Sequence, residues 1–220
     1  MDVNVDKALC TLERVRHLTG SVYVLRFSRN NVQFLPGQYL LAGLPGTDKM
    51  KEYSIYSGQH DPYLEILIRE VDDGKLSREL KKIRPGDKLE VRGPYGFFLS
   101  NSVNAEQEKR LFISSGTGIA PFHSFVKSYP GLDYRLIHGV RTPDEAYDQG
   151  DYRKGQLVLC TSQDPKGDFH GRVTDYLSQL EMEPDQQVYL CGGSHMIHDA
   201  VQILLTKGIP QSQIFTEIYF

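Results

Sequence analysis

The rhythm of this sequence changes near residue 103, and that change limits the folds open to it. Before it, short runs at 8–15, 21–28, 38–44, 53–57 and 63–71 read as strands. They are separated by Gly20, Pro36-Gly37, Pro45-Gly46 and Asp61-Pro62. Short strands at such spacing predict a small antiparallel barrel or sandwich. Asp72-Asp73-Gly74 reads as a turn and 76–82 as a short amphipathic helix ended by Pro85-Gly86-Asp87. Residues 88–92 read as the closing strand, after which Gly93-Pro94-Tyr95-Gly96 breaks the pattern. Beyond residue 103, strands at 110–115, 134–138, 157–161, 188–191 and 214–219 alternate with helices at 120–128, 144–148, 173–180 and 194–207. Such alternation predicts a parallel sheet covered by helices. The chain therefore divides into a β domain over 1–102 and an α/β domain over 103–220, with the join at 101–107.

Composition excludes several classes. The 220 residues carry 25 basic and 28 acidic side chains, a net charge of −3, so no nucleic-acid signature appears. No apolar run approaches the length of a membrane span, and Met1-Asp2-Val3-Asn4 is too polar to open a signal peptide, so no membrane association and a cytoplasmic location are expected. Cys10, Cys160 and Cys191 include no Cys-x-x-Cys pair, which argues against a disulfide framework, a zinc ribbon or a cysteine-ligated cluster. His195 and His198 lie at i, i+3 without suitable acidic or cysteine partners, so no metal site is expected.

Chemistry-bearing residues fall at two kinds of place. Lys51-Glu52-Tyr53-Ser54 opens an alternating run, Tyr53-Ser54-Ile55-Tyr56-Ser57, with one aromatic face and one hydroxyl face. Such a strand can offer a cation to a phosphate, a ring to a flat ligand and a hydrogen-bond donor. In an open parallel sheet, ligands lie beyond the carboxyl ends of the strands. Four loops occupy those ends: 114–121, 139–141, 161–172 and 191–194. Ser114-Ser115-Gly116-Thr117-Gly118-Ile119-Ala120-Pro121 lets backbone approach a ligand closely and can turn N–H groups toward a pyrophosphate. It is neither a Walker loop nor Gly-x-Gly-x-x-Gly. In Cys191-Gly192-Gly193-Ser194 the cysteine reads as a small apolar residue, and the glycines with Ser194 read as a ligand-facing loop.

Taken in order, Phe34-Leu35-Pro36-Gly37-Gln38-Tyr39, Tyr53-Ser54, Gly74-Lys75-Leu76-Ser77, Gly116-Thr117-Gly118-Ile119-Ala120-Pro121 and Cys191-Gly192 with Met196 resemble the ferredoxin–NADP reductase family of flavoproteins. The resemblance covers nearly the whole chain. The stretch from Leu64-Glu65 through Asp73-Gly74-Lys75-Leu76-Ser77, and the ending Glu217-Ile218-Tyr219-Phe220, are most similar to the bacterial ferredoxin/flavodoxin reductase branch.

The resemblance implies an antiparallel β-barrel flavin domain followed by a parallel-sheet pyridine-nucleotide domain. It implies FAD rather than FMN, with NADPH or NADH as co-substrate. Tyr53 would stack on the isoalloxazine, and Ser54 would hydrogen-bond near flavin N-5. Leu67, Ile68 and Arg69 would line the flavin by backbone contacts, and Gly74, Lys75, Leu76 and Ser77 would cradle its pyrophosphate with Lys51 as the nearby cation. Thr117 and Cys191 would flank the nicotinamide, Thr117 also touching the flavin. Gly116, Gly118, Arg141, Gln163, Arg172 and Gly192 would contact NAD(P). Glu217, Tyr219 and Phe220 would close over the flavin and its adenine, and Ser54, Cys191 and Glu217 would be the catalytic side chains.

Two departures from the family pattern stand out. Lys51 replaces the usual arginine, and Gln163 stands where NADP-selective relatives commonly carry arginine, so NADH is expected to serve as well as NADPH or better. The implied reaction passes electrons from NAD(P)H through FAD to a separate ferredoxin, flavodoxin or oxygenase component. Rivals are a free-flavin or quinone reductase, a non-enzymatic nucleotide-binding module, and a pyrimidine-synthesis electron-transfer subunit, for which a C-terminal cysteine cluster would be expected. Lys75, Arg78, Lys81, Lys82, Arg84, Lys88 and Arg92 read equally as a surface steering an acidic partner and as a solvated face.

Overall fold

The computed structural model describes residues 7–71, 74–98, 109–183 and 185–219. The Asp72-Asp73 turn, the join at 101–107 and Phe220 lie outside the described residues.

The first compact unit is a barrel of β1 (Lys7–His17), β2 (Val22–Ser28), β3 (Tyr39–Gly43), β4 (Met50–Ser54), β5 (Tyr63–Arg69) and β6 (Lys88–Tyr95), in the order β4-β3-β6-β1-β2-β5. Its ladders are antiparallel. The two edges meet where Ile55 bridges Ile66 and the Tyr56 N–H donates to the Glu65 carbonyl at 2.8 Å. Alternation explains the interior: Leu64, Ile66 and Ile68 of β5 pack with Tyr23, Leu25 and Phe27 of β2, and with Leu40, Ala42, Leu89 and Val91. On the other face of β5, buried Glu65 pairs with Arg26, the residue opposite it in the ladder, at 2.8 Å. Helix α1 (Lys75–Leu80) adds Leu76 and Leu80, one turn apart, to the same core.

Helix α2 (Ala120–Ser128) groups with the barrel. Phe122 and Phe125 meet Phe98 at ring distances of 6.0 and 6.5 Å, and His123 stacks on Tyr56 at 3.7 Å. The Ser124 hydroxyl donates to the Ser57 carbonyl at 2.7 Å, the Gln59 N–H donates to Ser128 Oγ at 2.8 Å, and Lys127 pairs with Asp61 at 2.9 Å.

The second unit is a sheet of β7 (Arg110–Ser115), β8 (Tyr134–Val140), β9 (Leu157–Thr161), β10 (Phe169–His170), β11 (Gln187–Gly193) and β12 (Ile214–Tyr219), ordered β10-β9-β8-β7-β11-β12 and parallel throughout its described ladders. Helices α3 (Val173–Gln179) and α4 (Ser194–Thr206) bury Val173, Leu177, Ile197, Ala200 and Leu204 against Leu111, Ile113, Ile137, Val188 and Leu190. Chain order reverses between β7 and β11, the switch point of the sheet.

Local expectations are corrected in four places. The strand read over 53–57 lies at Met50–Ser54 instead, because beyond Ser54 the chain leaves β3 for β5. Residues 54–58 are buried without alternation, so Tyr56 and Ser57 form no separate aromatic and hydroxyl faces. The strand expected to stop at Arg92 continues through Gly93-Pro94 to Tyr95, a register shift against β3 absorbing residues that cannot continue the ladder regularly. The helix over 144–148 is replaced by two 3-10 turns, Pro143–Glu145 and Gln149–Asp151, separated by residues 146–148, with Ala146 extended and Asp148 at φ 47°. The two-residue strand β10 gave no periodic signal.

Candidate functional site

In the barrel, Lys51 is exposed, Tyr53 half-buried against the core and Ser54 3% exposed. Burial pushes the Tyr53 phenol up to about 12, so the ring stays neutral. The bridge between Ile55 and Ile66 places Ser54 and Leu67 on neighbouring strands, one residue to either side of it. Ile68 sends its side chain into the barrel core, leaving only its backbone for a ligand, whereas Arg69 is exposed. Leu67 to Arg69 run on from the Ile55–Ile66 bridge, with β2 paired along their other edge.

Gly74 caps α1 in a crowded turn, where a Cβ would meet Val71 Cγ2 at 2.3 Å and Ser77 Oγ at 2.8 Å, so both side chains would have to shift. The Ser77 hydroxyl donates to the Gly74 carbonyl at 3.1 Å and accepts the Val71 N–H at 3.3 Å, so it closes the turn. The first-turn N–H groups at 75–77 are the donors such a turn can offer a phosphate, with the exposed Lys75 beside them. Leu76 is a core residue. Part of the basic segment is neutralised: Arg78 and Lys81 pair with Glu70, and Arg92 pairs with Glu90.

In the second unit, ladder register aligns Leu159, His138, Ser114, Cys191 and Glu217 across five strands at their carboxyl ends. Gly116–Ile119 follows β7 as a 3-10 turn with Thr117 half-buried. A Cβ on Gly118 would lie 2.3 Å from the Cys191 carbonyl oxygen and 2.7 Å from Gly192 Cα, so two backbones touch at the switch point. Gly192, at φ 145°, leaves room for Ser115 Oγ, which accepts the Gly193 N–H at 3.3 Å. Cys191 is fully buried; burial and then Glu217 push its thiol well above the ordinary range, against a hydrogen bond with Tyr219. It is therefore a neutral thiol and no nucleophile. Glu217 and Tyr219 are half-buried.

The outer loops of this edge meet through backbone bonds: the Gln163 N–H donates to the Arg141 carbonyl at 2.9 Å, and the Ser162 N–H to the Val140 carbonyl at 3.1 Å. Arg141 is bound within its own loop. Its N–H reaches Glu145 Oε2 at 3.0 Å and its Nε reaches Glu145 Oε1 at 2.8 Å, with Nη2 on that oxygen as well. Arg172 is exposed at the start of α3, where its N–H donates to Asp175 at 2.8 Å. Gln163 is exposed.

His138, buried at the carboxyl end of β8, supports the glycine turn. Its Nε2 lies 2.9 Å from the Gly116 carbonyl, which can only accept, so Nε2 carries the proton. Nδ1 has no hydrogen-bond partner among the described residues, and burial lowers the pKa to about 4. A histidine within an apolar strand gives no signal of such a role. Among the described residues, no helix is long and apolar enough to cross a membrane.

Comparison with known proteins places this geometry in a family. Residues 9–99 match the oxidoreductase FAD-binding domain, and residues 112–202 match the oxidoreductase NAD-binding domain. The chain is 31% identical over 213 residues to a probable dihydroorotate dehydrogenase B (NAD(+)) electron transfer subunit of Thermococcus kodakarensis, covering 95% of this chain and 83% of that protein. It is 29% identical over 224 residues to the toluate 1,2-dioxygenase electron transfer component of Pseudomonas putida, covering 94% of this chain but 66% of that one. A ferredoxin NADP+ reductase of Neisseria gonorrhoeae, solved with FAD and NADP, shares the fold at a TM-score of 0.86 and 22% identity, with 97% of this chain and 99% of that chain covered. The chain belongs to the ferredoxin–NADP reductase-like family of oxidoreductases, with an FAD-binding barrel followed by an NAD(P)-binding sheet.

Proposed function

We propose that the chain is a flavin-dependent reductase that takes electrons from NADPH or NADH and delivers them through FAD to a one-electron carrier, a ferredoxin or flavodoxin. The flavin domain spans 1–102 and the nucleotide domain 103–220. The observation that carries this reading is the contact of Gly118 with the Cys191 backbone at the switch point, a nucleotide-type site in the same chain as an FAD-binding barrel. The barrel residues fit FAD: a crowded glycine turn at Gly74, first-turn N–H groups at 75–77 and the neutral ring of Tyr53. The chemistry supplied by bound FAD is acceptance of a hydride and release of its electrons one at a time.

The protein's share is alignment. Tyr53 would stack on the flavin and Ser54 would hydrogen-bond to it; Lys51 and the backbone from Gly74 to Ser77 would hold its phosphates, and Leu67, Ile68 and Arg69 would contact it through backbone. Gly116, Thr117, Gly118 and Gly192 would admit the nicotinamide nucleotide, Arg141, Gln163 and Arg172 would face its adenosine end, and Cys191 would present a neutral thiol to the nicotinamide. Glu217, Tyr219 and Phe220 would cover the flavin. Cys10, Cys160 and Cys191 are all free thiols, which suits a reducing cytoplasm.

Anaerobic titration with each nucleotide tests the reading: the flavin bleaches, and an unbleached flavin with both nucleotides rejects it. A second reading, the reductase component of an oxygenase system, is favoured by the toluate dioxygenase relative. Faster electron delivery to an oxygenase protein than to ferredoxin or flavodoxin would select it. Gly74→Ala is expected to weaken FAD binding on the order of tenfold, because the methyl displaces Val71 and the Ser77 hydroxyl that closes the turn. Flavin-fluorescence titration checks this, and unchanged affinity would count against the turn as a phosphate cradle.

A further inference from the structure

Arg141 does not project from its loop as an available cation; Glu145 holds it. The carboxylate takes three donors from this one residue, the backbone N–H at 3.0 Å, Nε at 2.8 Å and Nη2. The Glu145 side chain is 17% exposed and Arg141 52%, so the carboxylate is the better sheltered partner. Glu145 ends the 3-10 turn that follows β8, and its N–H donates to the Thr142 carbonyl at 3.0 Å. In chain order β8 is the next strand after the Gly116–Ile119 turn and α2. In a dinucleotide-binding βαβ unit, the end of the second strand reads the adenosine ribose: an acidic residue accepts the hydroxyls of NAD, whereas an available arginine accommodates the 2′-phosphate of NADP. In the next loop the neutral Gln163 is bonded through its N–H to the Arg141 carbonyl. The exposed cations of that loop are Lys166 and Arg172, with Asp175 accepting the Arg172 N–H.

We propose that Glu145 is the coenzyme-selecting residue of this chain, holding Arg141 out of use so that the adenosine site takes a ribose with a free 2′-hydroxyl and rejects a 2′-phosphate. The proposal rests on the nucleotide-site reading above and names its substrate as NADH. A 2′-phosphate entering there meets the Glu145 carboxylate and must displace it from Arg141 to gain that guanidinium as a counter-ion. A ribose hydroxyl needs neither event.

Equilibrium binding of two fragments tests this without any flavin chemistry: 5′-AMP, and adenosine carrying phosphates at both the 2′ and 5′ positions. The unaltered protein is expected to prefer 5′-AMP, and Glu145→Gln to move the affinity ratio about 10- to 100-fold toward the 2′-phosphorylated fragment, the scale of charge-assisted hydrogen bonds. Tighter binding of the 2′-phosphorylated fragment by the unaltered protein, binding of neither fragment, or a ratio unchanged by Glu145→Gln overturns it. Since the first of these needs no variant, misfolding of Glu145→Gln leaves the proposal falsifiable. Fragment selection as expected, with a flavin that no nucleotide bleaches, would reject the reductase reading and leave the selection standing.

Discussion

Gly118→Ala is expected to slow reduction of the bound flavin by NADH about 100-fold, the scale of a misplacement near 1 Å in an aligned site. The added methyl would sit 2.3 Å from the Cys191 carbonyl oxygen and 2.6 Å from its carbon, with Gly192 Cα at 2.7 Å. All three are backbone atoms, so no rotamer relieves the clash and the two loops must part. Parting them moves Thr117 and Cys191 together, the residues assigned to the nicotinamide. The barrel contributes none of the contacting atoms, so FAD affinity should be unchanged. Stopped-flow reduction beside a flavin-binding titration separates the two effects. A normal reduction rate would show that the close approach at the switch point is packing alone.

The second large effect is on stability in mild acid. His138 titrates near 4 in the folded chain against 6.5 when unperturbed, with burial as the main cause. The sign follows from the depressed value. Above about 6.5 both folded and unfolded chains hold a neutral imidazole, and no proton is exchanged on unfolding. As the pH falls from there toward 4, the unfolded chain takes up a proton that the folded chain refuses, so stability is lost across that window. The full loss is about 3 kcal/mol from this group. His138→Gln keeps a side-chain N–H donor for the Gly116 carbonyl but cannot titrate. Denaturant unfolding at pH 7 and pH 5 should show the variant losing less stability than the unaltered protein. Equal losses would mean that His138 is protonated without cost in the folded state.

The sequence and the structure agree best where an element's boundaries are set by its own residues. The strands Arg110–Ser115 and Leu157–Thr161 and the helix Ala120–Ser128 coincide with their expected spans, because apolar runs there end at polar residues; the strand Ile214–Tyr219 coincides as well. Agreement fails where a neighbour decides. Ser54 ends β4 because the chain changes partners there, from β3 to β5, and no alternation in 53–57 announces the exchange. Ala146 breaks the expected helix in extended backbone and Asp148 closes it in a left-handed conformation, neither of which the residue types advertise. The motif residues at 74–77, 116–118 and 191–192 could be picked out as glycines with no role in regular structure. The pairing of Arg141 with Glu145 could not, since the two face each other only through the 3-10 turn at Pro143–Glu145. Ser77 shows the converse: its residue type suggested a ligand contact, while its hydroxyl serves the turn and leaves its backbone N–H as the group to offer a phosphate.

The central claim is that one chain joins nucleotide oxidation to single-electron delivery through FAD. The most direct measurement mixes the FAD-loaded protein anaerobically with NADH, follows the visible absorbance of the flavin, and then adds a one-electron acceptor. The account predicts stoichiometric bleaching by NADH, followed by return of the colour as the acceptor takes electrons singly, twice as many acceptor molecules reduced as NADH consumed. A flavin that stays oxidised with NADH and NADPH alike would contradict it.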